Sequence, residues 1–247
     1  MKKQIISIID EALERSDQLS QLIKDLKKTM MRKFLQIDKN DDILKIYESG
    51  LPTSSWKIVS LKDIVTSDGI DQGPKDELFY EDYFSESGYP LILPKNINSL
   101  RFHPHIFRFI SNDATTGFQH YMVCGGDIIM LQNGDNAGAS ALVPFMHENS
   151  MLSSGIIRIR LNSNMCEIFY ILNILHFYYN TGILKNLPGN ESDGITKPII
   201  SEMLLPMPPV EKQKEIADSL LQLSGGIVGQ ENYREEMLKL RKYVEHC

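Results

Sequence analysis

Two stretches of the chain have residue types and spacing that could do chemistry. RFHPHIFRF at residues 101–109 places His103 and His105 two positions apart, so an extended backbone would direct both imidazoles to one side. GGDIIMLQNGDNAG at residues 125–138 is rich in glycine and could cradle a phosphate with backbone N–H groups. A metal pair and a phosphate cradle are therefore the two chemical hypotheses to weigh.

Both hypotheses are weaker than a structural interpretation. The two histidines have no third and fourth ligand at a convincing spacing, and the sequence contains no CxxC or Cys/His zinc pattern. No lysine follows the glycines and no helix opens there, so we expect a β-hairpin with Asn133-Gly134 as its turn. We expect exposed loop histidines and no metal site.

Signatures of familiar enzymes are also missing. The sequence has no GxxxxGK[ST] P-loop, no GxGxxG after a strand, no HExxH and no GxSxG. It also lacks a Pro-Asp nuclease pattern with a downstream Asp/Glu-x-Lys, and an Asn/Asp-Pro-Pro-Tyr/Phe methyltransferase motif. We therefore expect a binding protein that is not an enzyme.

The first 36 residues predict one long helix. Apolar residues from Ile5 to Met30 alternate at spacings of four and three, with Ser16 filling one step, and no glycine or proline occurs before Gly50. So narrow a seam, with charge on the other faces, favours pairing with a single partner helix.

Residues 207–247 predict a second helix of the same kind. Sliding residues 5–16 by 211 positions, and residues 19–30 by 214, aligns the two apolar patterns, which indicates a repeated helix with three extra residues. We expect an antiparallel coiled coil, within the chain or between two chains. The residues predicted to pair the helices are Ile5, Ile9, Leu19, Ile23, Leu26, Ile216, Leu220, Leu223, Met237 and Leu240.

The middle of the chain has a different texture. Residues 37–55 are polar and end in glycine and proline, as a connector does, and residues 56–206 hold short β-rich runs separated by Gly, Pro, Asn and Asp. GIIRIRL alternates as a strand with Arg158 and Arg160 on its outer face. The fold class is therefore α+β: one mixed α/β domain of many short strands, flanked by two long helices. The prolines of LLPMPPVEK predict an extended exit and a helix that begins near Val210.

The charge is distributed unevenly. The chain of 247 residues has a net charge of −6; residues 56–206 carry 10 Lys and Arg against 16 Asp and Glu. Binding to nucleic acid would require the few basic residues to cluster, or a partner to supply phosphate contacts. No long apolar stretch predicts a membrane span or a signal peptide, so we expect a cytoplasmic protein.

The order of motifs resembles the specificity subunits of type I restriction–modification systems. The resemblance extends over nearly the whole chain: LKKTMM (26–31), WKIVSLKDI (56–64), GYPLILPKNI (88–97), GGDIIMLQNG (125–134), GIIRIRLN (155–162) and ISEMLLPMPPVEKQKEIADSLL (200–221). It implies a target recognition domain that reads half of a split DNA sequence, with long helices that dock methyltransferase subunits. S-adenosylmethionine, ATP and magnesium would belong to the methyltransferase and restriction partners, and this chain would need no cofactor.

The chain departs from the family pattern in having one recognition domain where two are usual. Two copies would restore a pair of recognition domains, so a homodimer reading an interrupted palindrome is expected. An alternative from another class is a coiled-coil scaffold whose middle domain binds protein, which the acidic balance favours.

Residues that contact DNA can be chosen only by chemistry, because phosphates attract Lys and Arg while base edges attract Arg, Lys, Asn and Gln. Three regions offer such side chains: the segment 95–108, the hairpin tip and the loop 185–197. The candidates are Lys95, Asn96, Arg101, His103, Arg108, Gln132, Asn133, Lys185, Asn186, Asn190, Ser192, Thr196 and Lys197.

Overall fold

A computed structural model shows two compact units, which we call the helical unit (residues 1–40 with 214–247) and the mixed unit (residues 41–213). None of the helices among the described residues has the length and apolar character needed to cross a bilayer. The structure describes residues 2–38, 40–50, 56–74, 83–98, 101–104, 107–112, 118–147, 149–190 and 194–246.

Two long helices make up most of the helical unit. Helix α1 spans Lys2–Phe34, and the last helix of the chain, α5, spans Val210–His246. These bounds agree closely with the two helices predicted from the heptad spacing. Helix α5 runs unbroken through Gly225, Gly226 and Gly229, where the predicted repeat has its three extra residues.

Side chains connect the two helices in antiparallel order. Arg241 Nε donates to Asp10 Oδ1 (2.7 Å), and Arg234 Nε donates to Asp17 Oδ1 (2.8 Å). Further along, Lys27 Nζ donates to Ser224 Oγ (2.8 Å). Residue numbers rise along α1 while they fall along α5, so the helices lie side by side within one chain.

The line of contact on α1 coincides with the predicted seam at some positions and is displaced by one residue along the helix at others. Ile9 and Ser16 are buried as predicted, and Ser16 Oγ donates to Gln230 Oε1 (3.1 Å). However, Ile5, Leu19, Leu26 and, on α5, Leu240 are 39%, 43%, 47% and 43% exposed, so they do not form the seam within one chain. Ser20 and Lys27 are less exposed than their apolar neighbours Leu19 and Leu26. One partner helix covers a single stripe, and α1 carries more apolar residues than one stripe holds.

The mixed unit is built from short strands and three further helices. The helices are α2 (Ile43–Glu48), α3 (Ile168–Asn180) and α4 (Lys197–Ser201). The described strands are β1 (Lys57–Ser60), β2 (Val65–Gln72), β3 (Phe84–Ser85), β4 (Tyr89–Ile92), β5 (Ile97–Asn98), β6 (Arg101–Phe102), β7 (Arg108–Ile110), β8 (Met122–Val123), β9 (Ile128–Leu131), β10 (Ser140–Leu142), β11 (Ser150–Leu152), β12 (Ile156–Leu161) and β13 (Leu204–Met207).

Two larger sheets share one core. One sheet has the antiparallel order β10-β9-β12-β2, and the other has the order β3-β7-β4-β11-β8 with a parallel pair β4/β11. Ile92 and Leu152 of the second sheet join Ile129 and Ile156 of the first in a single apolar cluster. Two small pairs, β1–β13 and β5–β6, complete the strands that the structure describes.

The exit from the mixed unit is held by hydrogen bonds to its backbone. The Tyr170 O–H donates to Pro206 O (2.6 Å), and the Tyr178 O–H donates to Leu204 O (2.9 Å). Gln213, which is buried, donates to Pro208 O (2.8 Å) and accepts from Glu167 N (2.9 Å). Strand β13 and the prolines behave as predicted, and residues Lys197–Ser201 before them form helix α4. Pro198 stands in its first turn, where the missing N–H costs nothing.

Adjacent isoleucines on α1 test the helix contact. Ile9 is 4% exposed and Ile8 is 66% exposed. Because only Ile9 leaves a cavity, Ile9→Ala should lower the free energy of unfolding of the helical unit by about 2–4 kcal/mol. Ile8→Ala, the matched control, should change it by less than about 0.5 kcal/mol. Urea unfolding followed by circular dichroism measures both, and equal effects would contradict the observed seam.

Candidate nucleic-acid interface

Two of the three predicted regions meet at the tip of the hairpin β9–β10. Ile195 N donates to Gln132 O (2.9 Å), and Gln132 Nε2 donates to Ile195 O (3.2 Å). A Cβ on Gly138 would lie 2.8 Å from Leu184 Cδ1, so glycine permits this close approach. The hairpin tip and the loop 185–197 therefore form one continuous surface.

The hairpin itself is confirmed, but its connection is longer than the predicted Asn133-Gly134 turn. Strands β9 and β10 pair with Met130 opposite Ser140, and residues 132–139 form the connection. Gly138 N donates to Leu131 O (2.8 Å) and Ala137 N donates to Gly134 O (3.0 Å), which closes the loop on itself. A loop of this length presents more side chains than a two-residue turn would.

The third region lies against the same hairpin through its strands β5 and β6. Strand β5 contacts β9, and strand β6 contacts β10. Asn96 holds this segment together from inside: its Oδ1 accepts from Leu93 N (2.8 Å) and its Nδ2 donates to His103 O (2.7 Å). The tertiary structure thus gathers all three predicted regions around β9–β10.

Two of the predicted contact residues are buried, and for them the prediction was wrong. Asn96 is 1% exposed and Gln132 is 8% exposed, and both side chains bond to backbone groups. An isolated sequence cannot separate such residues from surface amides, because Asn and Gln brace loops and read bases with the same atoms.

Other candidates have partial structural roles. Asn190 Nδ2 donates to Leu184 O (3.0 Å), and Asn186 Nδ2 donates to Gly182 O (2.8 Å), so both brace the loop. His103 Nε2 lies 3.1 Å from Asn98 O, and His105 and Ser192 lie outside the described residues. Thr196, which is half-buried, precedes α4.

The exposed cations and amides form the surface that remains available to a ligand. Lys197 Nζ lies 3.8 Å from Asp71 Oδ1, and the Arg108 guanidinium lies 3.6 Å from the centre of the Phe84 ring. Arg101 is half-buried. The predicted candidates that are exposed are Lys95, Arg108, Asn133, Lys185, Asn186 and Lys197.

Arg158 and Arg160 were predicted to lie on the outer face of the strand, but both bond to other parts of the protein. Arg158 is 2% exposed, and its guanidinium donates to Met122 O and Asp68 O (2.7 Å each). Arg160 makes a two-pronged contact with Asp127 (2.8 Å for each bond) and a third bond to Asp68 Oδ2 (2.8 Å). Asp68 of β2 and Met122 of β8 lie against this face of β12, so the arginines bond to protein groups.

These contacts keep the network charged. The hydrogen bonds to Asp127 raise the pKa of Arg160, and the bond from Thr66, with the nearby arginines, lowers the pKa of Asp68. Arg158 and Arg160 therefore stabilise the fold through these bonds and are not available to bind phosphate.

One feature of the surface was missed from the sequence. ALVPF (141–145) has the composition of a short β-rich run, but β10 ends at Leu142 and a 3₁₀ turn spans Phe145–His147. Phe145 and Met146 are 73% and 82% exposed. Pro144 was the signal, because a proline cannot donate a hydrogen bond to a continuing strand.

No group of three or more His, Cys, Asp and Glu side chains is placed to hold a metal ion in the described part of the chain.

Two polar side chains at the hairpin tip compare a buried position with an exposed one. Gln132→Ala removes a buried bond to Ile195 O and should lower the free energy of unfolding by about 1–2 kcal/mol. Asp135→Ala, at an exposed position of the same connection, should change stability by less than about 0.5 kcal/mol. Thermal unfolding of both variants measures this difference, and an equal loss would mean that the Gln132 bond does not support the tip.

Comparison with known proteins matches this architecture. The sequence profile described as the type I restriction modification DNA specificity domain matches residues 53–238. The type I restriction enzyme MjaVIII specificity subunit of Methanocaldococcus jannaschii is 22% identical over 247 residues, covering 97% of this chain and 56% of that protein.

Two solved structures share the fold. The type I restriction–modification S subunit from M. genitalium aligns with a TM-score of 0.64 at 14% identity, covering 98% of this chain and 58% of that one. The HsdS subunit from Thermoanaerobacter tengcongensis aligns with a TM-score of 0.54 at 15% identity, covering 98% and 56%. This chain spans a little over half the length of these relatives. The profile match covers most of the chain and all but the first part of the mixed unit, so the chain belongs to the type I restriction–modification DNA specificity family.

Proposed function

We propose that this chain is a non-catalytic, sequence-specific DNA-recognition subunit of a type I restriction–modification complex. Its mixed unit would read one half of a split double-stranded target. The observation that carries the proposal is the family match over residues 53–238, which includes all three regions that gather around β9–β10. S-adenosylmethionine, ATP and magnesium would be bound by partner subunits.

The chemistry of the gathered surface supports DNA as the ligand. Lys185, Lys197 and Arg108 supply exposed positive charge for phosphates, and Asn133 and Asn186 supply amides that can pair with base edges. The unit as a whole is acidic, so a methyltransferase partner would add further phosphate contacts.

The long helices are proposed to form an antiparallel coiled coil that docks methyltransferase subunits. Exposed apolar side chains recur along α1 at heptad spacing, in addition to the line that contacts α5. A groove on this face is lined by Ile8, Ala12 and Leu19 of α1 and by Gln230 and Tyr233 of α5. Apolar residues so exposed on a helix suit a further helix as partner. The stripe consists of Ile5, Ile8, Leu19, Leu22 and Leu26, which are 39%, 66%, 43%, 63% and 47% exposed.

We also propose that two copies associate, which would place two recognition domains in one complex on an interrupted palindrome. The same stripe is available for this contact. Molar mass tells the two possible partners of the stripe apart. The mass of the chain alone reports a second copy, and the mass of a mixture with the methyltransferase reports methyltransferase binding.

The alternative function is a coiled-coil scaffold whose middle unit binds protein. The observation in its favour is the excess of 16 Asp and Glu over 10 Lys and Arg in residues 56–206. A gel shift with a random-core duplex library, with and without a methyltransferase partner, discriminates the two. Enrichment of one sequence supports DNA recognition, and the absence of any retained duplex supports the scaffold.

The cations of the loop test DNA binding. Lys185→Ala with Lys197→Ala should weaken binding to the enriched duplex, and should lower the slope of log K against log salt by about 1–2, because two phosphate contacts are lost. Lys62→Ala is the control, since Lys62 is an exposed lysine that pairs with Glu202 Oε1 (2.6 Å) outside the three regions. Unchanged binding across salt concentrations in the double variant would remove these lysines from the interface.

The apolar stripe of α1 tests assembly. Ile8→Asp with Leu22→Asp should abolish dimerisation and methyltransferase binding without unfolding the chain, because both residues are exposed. Ser7→Asp with Gln21→Asp adds the same charge at exposed positions with the same spacing, and should leave assembly intact. Light scattering at tens of micromolar measures the mass. A wild-type chain that stays monomeric would refute the homodimer, and a stripe variant that still binds the methyltransferase would refute the docking surface.

A further inference from the structure

One buried glutamine bonds the loop 185–197 to the tip of the hairpin β9–β10. Gln132 uses both its backbone and its side chain for the same residue of the loop. Ile195 N donates to Gln132 O (2.9 Å), and Gln132 Nε2 donates back to Ile195 O (3.2 Å). Both residues are buried. Two bonds between one pair of residues fix the distance and also the orientation of the two segments.

The residue before Ile195 lies directly against the tip. A Cβ built on Gly194 would overlap with Gln132 O and with Asn133 Oδ1. The φ of Gly194 is +74°, which is in the left-handed region that favours glycine. Any other residue at this position would therefore have to move the loop away from the hairpin tip.

A third contact holds the opposite end of the loop. A Cβ on Gly138 would lie 2.8 Å from Leu184 Cδ1 and 3.2 Å from Ile195 Cδ1, so both apolar side chains rest on the hairpin connection. Leu184 directly precedes Lys185, and Ile195 lies two residues before Lys197. Both lysines are exposed. The candidate contact residues of the loop thus follow residues whose places the hairpin sets.

We propose that Gln132 and Gly194 are positioning residues for DNA sequence recognition. They hold the loop 185–197 at one place on the hairpin tip, so that side chains of the two segments meet the bases in a fixed arrangement. This inference rests on the proposed function in DNA recognition. Gln132 does not itself touch DNA, because its side chain is buried and bonded to the loop backbone. It acts through the exposed side chains of its neighbours.

Positioning of this kind governs sequence specificity more than affinity. The attraction between a lysine and a phosphate depends on charge and tolerates small displacements. A hydrogen bond to a base edge depends on distance and angle, so it is lost when its side chain shifts. A loop released from the tip should still bind duplex DNA but should discriminate less between sequences.

The first test replaces the amide donor of Gln132. The full chain with a type I methyltransferase is titrated with a duplex that the wild type enriches from a random-core library, and with a scrambled duplex of equal length. At about pH 7.5 an ionised carboxylate cannot donate to Ile195 O, so Gln132→Glu should lower the ratio of the two affinities about tenfold. Burial favours the neutral acid, which can donate, so the ratio should recover at about pH 5.5.

The pH profile separates positioning from a general loss of stability. Unfolded molecules reduce the amount of DNA bound, but they do not change the sequence preference of the molecules that remain folded. Each ratio is compared with that of the wild type at the same pH. Gln119→Glu is the matched control, because it introduces the same charge at an exposed position outside the three regions. Its ratio should equal that of the wild type at both pH values.

The second test moves the loop without removing a hydrogen-bond donor. Gly194→Ala should lower the ratio of affinities about tenfold and leave the salt slope unchanged, because no charge is lost. Gly50→Ala is its control. Gly50 also has a left-handed φ (+100°), but no heavy atom of the described residues lies within 4 Å of a Cβ built there. Gly50→Ala should therefore strain the backbone and keep the ratio.

The possible results distinguish the positioning role from the function on which it rests. If the wild type enriches no duplex, the proposed function and the positioning role fail together. If the wild type is selective and Gln132→Glu and Gly194→Ala keep its ratio, the positioning role alone is wrong. It is also wrong if Gln132→Glu stays unselective at the lower pH while Gly194→Ala keeps the wild-type ratio.

Discussion

The bidentate pairing of Arg160 with Asp127 is the interaction on which the candidate interface depends. Asp127 immediately precedes β9, the first strand of the hairpin that carries the interface, and Arg160 lies on β12, next to β9 in the sheet. Arg158 also donates a hydrogen bond to the backbone of Met122 on β8, which is an edge strand of the second sheet. A buried charge destabilises the fold unless it is paired, so these bonds favour one arrangement of the surrounding segments.

The candidate interface has two kinds of residues, and the same amino acids occur in both. Asn96, Gln132 and Asn190 direct their amides to backbone groups and hold the loops, whereas Lys95 and Lys185 are exposed. A surface that distinguishes DNA sequences needs such support, because base edges are recognised only by side chains held in place. The surface positions can vary while the amides beneath them keep the loop shape.

The helical unit has a similar division between internal and external contacts. One stripe of α1 meets α5 through Ile9, Ser16 and Lys27. Burial lowers the pKa of Lys27, and its bond to Ser224 satisfies the ammonium group in a place where an apolar residue would be expected. Polar pairs in such a seam reduce stability but favour one register of the two helices. The remaining apolar stripe stays exposed.

The sequence by itself determined the two long helices, the hairpin, the extended exit and the family, because heptad spacing, glycine turns and prolines act locally along the chain. It could not determine which side of α1 meets α5, since the contact line includes the polar residues Ser16, Ser20 and Lys27 and only the partner helix selects it. It also could not place Arg158 inside, since strand alternation does not reveal what covers a face. Only the tertiary structure decided that Gln132 supports the interface and that three segments gather around β9–β10, because those contacts join residues far apart in the chain.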